Sequence, residues 1–345
     1  MHIDSIQQHF FDSAETKRQA APLMAPHIAA AAAELPVTLA DRQWFGDSLP
    51  GLLDGLTAAG HLRKRPGGWF WTRSDRPADS IDLRSIGGAS VEVVETVTGR
   101  VIGQVDAAAA DRTVHAGAVY LHQGDQWRVL EYDPAGHTAL VQRVKEGYFT
   151  QALGASDVRI LGVQQERPLG AGRAFFGAVE LSSQVTGFLR RDDASGKVWD
   201  SHPLDLPQRT LRTQAVWYTI PSASLGGIPV RDLPGAAHAA EHTAIGLLPA
   251  FAPCDRWDIG GLSTALHADT GQLTVFVHDG HPGGAGFAQR GFQAIEAWLT
   301  ATLDRLLQCP CAAGCPACVV SPKCGNGNQP LEKAAAASLL TLLLT

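Results

Sequence analysis

Residues 309–326 of the sequence read CPCAAGCPACVVSPKCGN. Five of the six cysteines of the chain fall within this stretch, and only Cys254 lies outside it. This clustering is unlike the spacing of a disulfide framework, and in a reducing compartment closely spaced thiols are more typical of metal ligands. The stretch therefore predicts a metal-binding loop.

Zinc fits this loop well, because it takes four ligands at tetrahedral corners and a two-residue spacer lets one turn offer two sulfurs. We predict Cys311, Cys315, Cys318 and Cys324 as the ligands. Cys309 is left spare, since two ligands separated by a single residue point less easily to one ion. Four thiolates leave no open position, which indicates one structural zinc ion per chain. An iron–sulfur cluster and redox-active thiols are the alternatives.

Composition limits the class of protein. The chain has 345 residues, which suggests two or three domains, and 45% of its residues are hydrophobic, enough to form cores without help from a metal. A net charge of −6 argues against an overall basic surface but allows a local basic patch. We find no membrane-spanning stretch and no signal peptide, and therefore expect a cytoplasmic protein that has no membrane partner.

The first part of the chain predicts helices followed by a small hairpin. Residues 25–35 are rich in alanine, Thr38 is a candidate N-cap, and leucines recur at helical spacing from Leu49 to Leu56, before Gly60. Residues 61–71, HLRKRPGGWFW, predict two strands about a Pro-Gly-Gly turn. We assign residues 1–78 to a winged-helix domain with an N-terminal extension.

The rest of the chain predicts strands first and a mixture of strands and helices later. Short β-branched segments separated by Gly, Asp or Pro favour a small antiparallel β-barrel-like domain over residues 79–155. Residues 156–345 are assigned to an α/β domain that carries the zinc site. In it we predict helices over residues 234–249, 286–308 and 331–344. The predicted fold class is thus α+β multidomain, with a winged helix, a β-rich middle and an α/β C-terminal domain with a structural zinc site made of four cysteines.

Cationic and aromatic residues interleave in the hairpin. Cations can neutralise phosphates while aromatic rings stack on bases, so this is the leading candidate for contact with DNA. The alternative is a solvated, charged wing in which Trp69 or Trp71 packs inward. The predicted DNA-binding residues are Arg63, Lys64, Arg65, Trp69, Trp71 and Arg73.

His238, Glu241 and His242 match a His-x-x-Glu-His pattern, in which two histidines on one helical face hold zinc and the glutamate acts as a base. This pattern gives an alternative function, a metallohydrolase. The more ordinary interpretation is that these side chains form buried hydrogen bonds that link their helix to Asp258 or Asp279.

The cysteine stretch, continued to Lys333, closely resembles the C-terminal tetracysteine domain of the MrfA and SftH group of superfamily 2 DNA helicases. Further segments resemble the same domain or the region before it. These are Glu241-His242, residues 258–261 (DIGG), 278–280 (HDG), 283–286 (GGAG), 117–124 (GAVYLHQG) and 147–150 (GYFT). The resemblance covers the chain from about residue 23 to residue 344.

The resemblance implies a 3′-to-5′ ATP-dependent helicase that acts in DNA repair and whose motor domains precede a winged helix and a zinc-binding domain. The chain itself has no Gly-x-x-x-x-Gly-Lys-Ser/Thr phosphate loop, so we expect this piece not to be catalytic. It is expected to be an engineered fragment or a split subunit that guides or binds single-stranded or forked DNA beside the motor domains. The alternative is a structural module that braces the motor without touching DNA.

Overall fold

The structure is a computed structural model that describes residues 21–81 and 90–345. The predicted N-terminal extension and residues 82–89 of the predicted middle domain lie outside the described residues. Within the described part of the chain the fold is mixed α+β, with a winged helix, a β-rich middle and a C-terminal region in which four cysteines lie close together.

The winged helix packs three helices against a two-stranded hairpin. Its apolar core includes Ile28, Leu49, Leu53 and Trp69. Gly60 has a positive φ of 76° just after a helix, as the sequence predicts for a helix end. The elements are helices α1 (Ala21–Glu34), α2 (Arg42–Phe45) and α3 (Leu49–Ala58) and strands β1 (Leu62–Arg65) and β2 (Gly68–Trp71).

Thr38 caps a short 3-10 turn that leads into α2. The carboxylate of Asp41 accepts hydrogen bonds from the Thr38 backbone N–H at 2.6 Å and from its hydroxyl at 3.0 Å. Beside it, Val37 and Trp69 exchange backbone hydrogen bonds of 3.0 and 2.8 Å. These bonds attach the hairpin to the helices, so the position of the hairpin is fixed from its base.

A five-stranded sheet forms the middle of the described chain. Its strand order is β4-β3-β7-β6-β5, and β3 pairs with β7 in parallel. The prediction of a wholly antiparallel sheet was therefore wrong in this pair, because a helix after β4 returns the chain so that the last strand runs alongside β3. The elements are β3 (Ser90–Glu95), β4 (Val101–Asp106), helix α4 (Ala107–Thr113), β5 (Val119–His122), β6 (Asp125–Asp133) and β7 (Thr138–Val144).

The C-terminal region is built on a six-stranded antiparallel sheet in the order β10-β9-β11-β13-β12, with β8 also paired to β9. The predicted domain boundary at residue 155 falls inside β8, so the change from one sheet to the next lies between Val144 and Tyr148. The strands are β8 (Tyr148–Leu169), β9 (Gly172–Asp192), β10 (Val198–Pro203), β11 (Arg209–Ile220), β12 (Ile259–Thr264) and β13 (Leu273–Asp279).

Four helices cover one face of this sheet. They are α5 (Leu233–Leu247), α6 (Phe287–Gln293), α7 (Ile295–Gln308) and α8 (Lys333–Leu344). The buried Trp298 of α7 donates its indole N–H to Ala244 O of α5 at 2.8 Å. The predicted helix over residues 286–308 is broken at Ala294, and the last helix begins at Lys333 rather than at Leu331.

The packing of these helices positions the cysteines. The end of α7 leads into the cysteine loop, α5 passes beneath that loop, and α8 begins directly after it. Among the residues that the structure describes, none of the helices combines the length and the apolar character needed to cross a bilayer.

Candidate metal centre and basic hairpin

Four cysteine sulfurs converge at the end of α7. The Sγ atom of Cys309 lies 3.5 Å from that of Cys311 and 3.5 Å from that of Cys315. Cys318 Sγ lies 3.4 Å from Cys311 Sγ and 3.7 Å from Cys315 Sγ. Thiolates about 2.3 Å from one zinc ion at tetrahedral corners are about 3.8 Å from one another, so the observed sulfur positions fit zinc.

All six cysteines lie in the described part of the chain and carry free thiols. The sulfur separations are also far longer than the roughly 2.05 Å of a disulfide bond. The four clustered thiols are therefore arranged around a common centre rather than joined in pairs.

A tight turn forms half of the cluster. Cys315 O accepts a hydrogen bond from Cys318 N at 2.9 Å, and Cys315 N donates to Cys318 Sγ at 3.3 Å. Gly314 has a φ of 129°, and a Cβ atom there would lie 2.4 Å from Val319 Cγ2. Glycine is thus required before Cys315 both for the backbone conformation and for space.

Two cations that sequence reasoning did not assign to the cluster lie against it. The buried Lys333 Nζ donates to Cys309 O at 2.7 Å, to Cys311 O at 2.6 Å and to Cys311 Sγ at 3.4 Å. Arg305 lies 4.0 Å from Cys309 Sγ. Four thiolates around a divalent ion carry a net charge of about −2, so these cations offset the excess negative charge.

The thiols of the cluster differ in their pKa values. Burial opposes ionisation of Cys311, but hydrogen bonds from the neighbouring thiols and Lys333 outweigh it and lower the pKa of Cys311 to about 6. Burial raises the pKa of Cys318 to about 12, and the hydrogen bonds of Cys318 with the Cys311 and Cys315 side chains act in the same direction. Binding of a divalent ion would oppose this shift by neutralising the thiolates.

Three of the four predicted ligands are brought together, but Cys324 is not among them, and Cys309 takes the fourth position. The single residue between Cys309 and Cys311 does not keep their sulfurs apart, because the backbone at Cys309 is no longer helical. Cys309 has an extended conformation (φ −73°, ψ 121°) as α7 ends, which turns its side chain toward Cys311. Cys324 lies instead with His238 and His242, with its Sγ 3.4 Å from His238 Nε2.

The His-x-x-Glu-His residues lie on α5, and their hydrogen bonds differ from the predicted ones. His238 Nδ1 lies 2.9 Å from Pro330 O, and His242 Nδ1 lies 2.8 Å from Val319 O. The expected links to Asp258 or Asp279 are therefore replaced by links to the cysteine loop and the segment after it. The reason is that α5 runs directly beneath that loop.

Glu241 is only 6% exposed, and it packs against strand β12. Burial raises the pKa of Glu241 to about 7, although a hydrogen bond with Ser263 opposes the shift. A Cβ atom at Gly261 would lie 2.7 Å from Glu241 Oε1, so this glycine is needed for the close approach of α5 to the strand.

A cavity of about 720 Å³ opens beside α5. Its walls come from the C-terminal region and from the middle sheet's helix α4, which contributes Arg112. The charged or metal-binding residues that line it include Arg112, His238, Glu241, His242, Lys323 and Cys324.

The predicted DNA-binding residues divide between the two faces of the hairpin. Arg63, Lys64 and Arg65 are exposed. Trp69 is only 6% exposed and belongs to the core of the winged helix, with Lys64 Nζ 4.7 Å from its ring. Trp69 therefore has no free ring face for a base, as the alternative interpretation of the hairpin expects.

Trp71 and Arg73 also have partners within the protein. Trp71 stacks on His61 with ring centroids 5.9 Å apart and donates its indole N–H to Asp75 O at 3.0 Å. Arg73 forms an ion pair with Asp75 at 3.2 Å. Of the predicted set, Arg63, Lys64 and Arg65 are the residues best placed to contact a ligand.

Phe70 is the aromatic residue that the sequence analysis left out of the predicted contacts. It pairs across the hairpin with Arg63, and residues opposite each other in a strand pair share a face. Because side chains alternate along a strand, Phe70 faces away from Trp69 and Trp71. The alternation of side chains along residues 68–71 could have identified Phe70 as the aromatic residue on the outer face of the hairpin.

Two family models match the chain. The model of the MrfA Zn-binding domain matches residues 240–319, and the model of the winged helix domain of the ATP-dependent helicase HRQ1 matches residues 18–86. The first match contains all four clustered cysteines and ends before Cys324. An uncharacterized protein of Methanocaldococcus jannaschii, MJ1572.1, is 38% identical over 113 residues, which make up 99% of that protein and 31% of this chain.

The chain contains a zinc-binding domain of the MrfA type. It corresponds to the C-terminal winged helix and zinc-binding region of these helicases. An uncharacterized ATP-dependent helicase of Bacillus subtilis, YprA, is 28% identical over 322 residues, covering 90% of this chain. A crystal structure of the DUF1998 helicase MrfA bound to DNA has a TM-score of 0.59 and 27% identity, and the match covers 93% of this chain.

The chain spans less than half of the length of these relatives. It covers 42% of the length of YprA and 42% of the chain in the MrfA–DNA structure. The chain is therefore similar to one region of its helicase relatives rather than to their whole length.

Proposed function

We propose that the chain is a DNA-engaging, non-motor module of an ATP-dependent helicase, and that it contacts single-stranded or forked DNA through the hairpin of the winged helix. The observation that carries the proposal is the exposure of three cations on β1, with Arg63 and Arg65 on one face of the hairpin and Lys64 on the other. Phosphates attract such cations, and Phe70 on the same face as Arg63 offers an aromatic ring for stacking. The MrfA relative bound to DNA adds support.

The wider role is inferred from the family. The motor domains of the parent protein are proposed as the partners of this module and as the site of ATP hydrolysis, because the chain has no phosphate-loop motif. The parent is proposed to be a superfamily 2 helicase that moves 3′-to-5′ in DNA repair, with the module guiding the strand.

We further propose Cys309, Cys311, Cys315 and Cys318 as the ligands of one structural zinc ion. The sulfur separations support this set, and four thiolates leave no position open for a substrate. The ion would join the end of α7 to the turn at Cys315 and so hold the loop on the helices.

Binding of a labelled single strand to the full chain, measured over a range of salt concentrations, tests the DNA contact. Replacing Arg63, Lys64 and Arg65 by Ala should weaken binding and reduce the slope of log K against log salt by about 2, since each phosphate contact contributes about 0.7 for a single strand. A variant with Arg100, Lys197 and Arg231 replaced by Ala has the same change in charge at exposed positions elsewhere.

The control variant should bind as the unmodified protein does. Equal effects of the two triple variants would show that only net charge matters, and the hairpin would lose its assigned role. Binding unaffected by the hairpin substitutions would favour a module that braces the motor without touching DNA.

A further inference from the structure

A second group of metal-binding side chains lies in the wall of the cavity beside α5. His238 and His242 are four residues apart and lie on one face of that helix, while Cys324 comes from the loop above. Each of the three residues offers a ligand atom, and these atoms lie within 4.8 Å of one another. None of these residues belongs to the quartet of clustered cysteines.

Hydrogen bonds fix the orientation of both imidazoles. The Nδ1 atoms of His238 and His242 lie 2.9 and 2.8 Å from backbone carbonyl oxygens. A carbonyl oxygen only accepts, so each Nδ1 carries a proton, and the tautomer that can bind a metal presents the lone pair of Nε2. Histidines that bind metals are held in this way, with one nitrogen donating to a carbonyl and the other turned to the ion.

Hydrogen bonding within the group does not satisfy all three residues. The thiol of Cys324 has one proton, and it can serve only one of the two Nε2 lone pairs that face it. The other lone pair then receives no proton from Cys324, although His242 is only 7% exposed. A cation accepts electron density from both nitrogens and the sulfur at once, and so satisfies the whole group.

We propose that His238, His242 and Cys324 bind a second zinc ion, with its fourth coordination position open to the cavity. Two imidazole nitrogens and one thiolate are a donor set that suits zinc, and three protein ligands with one open position are the arrangement found in catalytic zinc sites. Arg112 and Lys323 also line the cavity. Their positive charge favours water or a small anion as the fourth ligand.

This second site is independent of the proposed DNA contact. The hairpin residues 62–71 do not line the cavity, so loss of DNA binding in the hairpin variants would leave the inference standing. Conversely, a chain that binds one zinc ion only could still bind DNA.

The zinc content of the full chain, prepared without a strong chelator, tests the proposal. We expect two zinc ions per chain in the unmodified protein and one in each of the variants Cys324→Ser and His238→Gln. The matched control His122→Gln changes a histidine outside both groups and should retain two. One zinc ion in the unmodified protein, or two in Cys324→Ser, would overturn the proposal.

X-ray absorption of the unmodified protein keeps the test valid even if a variant fails to fold. Two occupied sites require nitrogen as well as sulfur around the zinc, because the second group contributes two histidines. A shell of sulfur alone would mean that only the cysteine quartet binds zinc, and the proposal would fail.

Azide tests the open coordination position after zinc is replaced by cobalt. A closed quartet of thiolates has no room for a further ligand, so any change in the visible spectrum on adding azide must come from the second site. We expect such a change in the unmodified protein and none in Cys324→Ser. An unmodified protein whose spectrum does not respond would show that the position is not open.

Discussion

The carboxylate of Asp279 occupies the start of helix α6, where a phosphate group could otherwise bind. Asp279 is fully buried, and its Oδ2 accepts from Ala285 N at 2.6 Å and from Gly286 N at 2.9 Å, while Oδ1 accepts from Ala288 N at 2.8 Å. Burial raises the pKa of Asp279 to about 6, although these backbone hydrogen bonds oppose the shift. The glycine-rich loop before α6 therefore serves an internal carboxylate.

This raised pKa predicts a pH-dependent contribution to stability. The pKa of Asp279 is about 6 in the fold and 3.8 ordinarily, so between these values the folded protein holds a proton that the unfolded chain has released. The carboxyl group contributes most stability below its ordinary pKa, and this contribution is lost as the pH rises through about 6. Asparagine does not titrate, so the Asp279→Asn variant lacks this dependence.

Urea unfolding of both proteins measures the effect. From about pH 4 to about pH 7 the difference in free energy of unfolding should move by about 2 kcal/mol in favour of Asp279→Asn, since each unit of difference between the folded and unfolded pKa is worth about 1.4 kcal/mol. Release of zinc at low pH affects both proteins alike and cancels in the difference. A difference that does not change with pH would show that the buried carboxyl group keeps its ordinary pKa.

Lys333 is predicted to strengthen zinc binding by the cysteine quartet. Its ammonium group donates to two backbone carbonyls of the cluster and lies 3.4 Å from Cys311 Sγ. Lys333→Met should lower zinc affinity about 10-fold to 100-fold, the usual effect of losing a residue that supports metal ligands. Competition with a chelator, in a Cys324→Ser background that isolates the quartet, measures the affinity.

The matched control is Lys197→Met, since Lys197 is exposed and distant from the cysteines in the sequence. It should leave the affinity unchanged. Equal affinities of the Lys333 variant and this control would mean that the charge of Lys333 does not act on the thiolates.

Residue types predicted the existence of the cysteine cluster but not its membership. Spacing alone made Cys309 look strained beside Cys311, whereas the end of α7 turns its backbone into an extended conformation that joins the two sulfurs. The role of Lys333 depends on α8 returning to the loop, which no local pattern shows. The membership of the cluster therefore depends on where Cys309 lies relative to the end of α7, and residue spacing alone does not show this.

At the scale of elements, the cysteine loop is shaped by side-chain hydrogen bonds rather than by long helices or strands, as the bonds between Ser321 and Asn328 and from Arg305 to Ala317 O show. Much of it lacks regular secondary structure, and the structure connects it to the helices through Lys333, His238 and His242. We predict that Cys315→Ser leaves the protein soluble but releases one zinc ion and loosens residues 308–330, because closure of the loop depends on metal–thiolate bonds.

Zinc analysis combined with amide hydrogen exchange tests this prediction. Faster exchange should be confined to residues 308–330, with the winged helix unaffected. Cys254→Ser is the control, since Cys254 belongs to neither group of metal-binding residues. A Cys315→Ser protein that keeps the full zinc content of the unmodified chain would contradict the role of this cysteine.

The hairpin predicts opposite effects for neighbouring aromatic residues. Trp69→Ala should lower the free energy of unfolding by about 3–5 kcal/mol, because it opens a cavity in the winged-helix core. Phe70→Ala should change stability little and weaken single-strand binding by about 1–3 kcal/mol, the value of one stacked base. Thermal unfolding and binding to a labelled strand separate the two effects.

Weaker binding in Trp69→Ala without loss of stability would show that Trp69, rather than Phe70, meets the nucleic acid. Phe70→Leu keeps an apolar side chain and serves as the control for ring stacking. It should bind as weakly as Phe70→Ala if stacking, and not apolar contact alone, supplies the energy.

The sequence predicts strands well where short β-branched segments alternate in polarity, but it does not predict long polar strands. Strand β3 (Ser90–Glu95) is an example, because glycines lie on both sides of a segment in which the buried Val91 and Val93 alternate with exposed residues. Strand β8 was missed, since most of its residues after Gly154 are exposed and its sequence lacks a continuous buried face. It is held by pairing along nearly all of β9, a tertiary effect that periodicity cannot reveal.

At the scale of the whole molecule, the winged helix, the middle sheet and the C-terminal region each have their own apolar core. The middle sheet and the C-terminal region are joined by Asp111 of α4, which accepts from Arg209 of β11 at 2.7 and 2.9 Å and from the Tyr132 hydroxyl at 2.7 Å. Sequence composition predicted several domains, but a contact between residues 98 positions apart had no local signal.

This ion pair predicts a measurable coupling between the two regions. Asp111 is almost fully buried while Arg209 is about half exposed, so the pair is worth less than a fully buried one, and we expect about 1–2 kcal/mol. The double-mutant cycle of Asp111→Ala and Arg209→Ala isolates this value from the hydrogen bond to Tyr132. Loss of the pair should also let the middle sheet unfold at a lower temperature than the C-terminal region.

The exposed pair of Arg143 and Asp125 gives the matched control, because both residues lie within the middle sheet. Its cycle should return less than about 1 kcal/mol, and Asp125→Ala should leave a single unfolding transition. Similar coupling energies for the two cycles would mean that burial of Asp111 adds nothing. Separate transitions already present in the unmodified protein would show that the regions unfold independently. In that case the ion pair would orient the wall that carries Arg112 without stabilising either region.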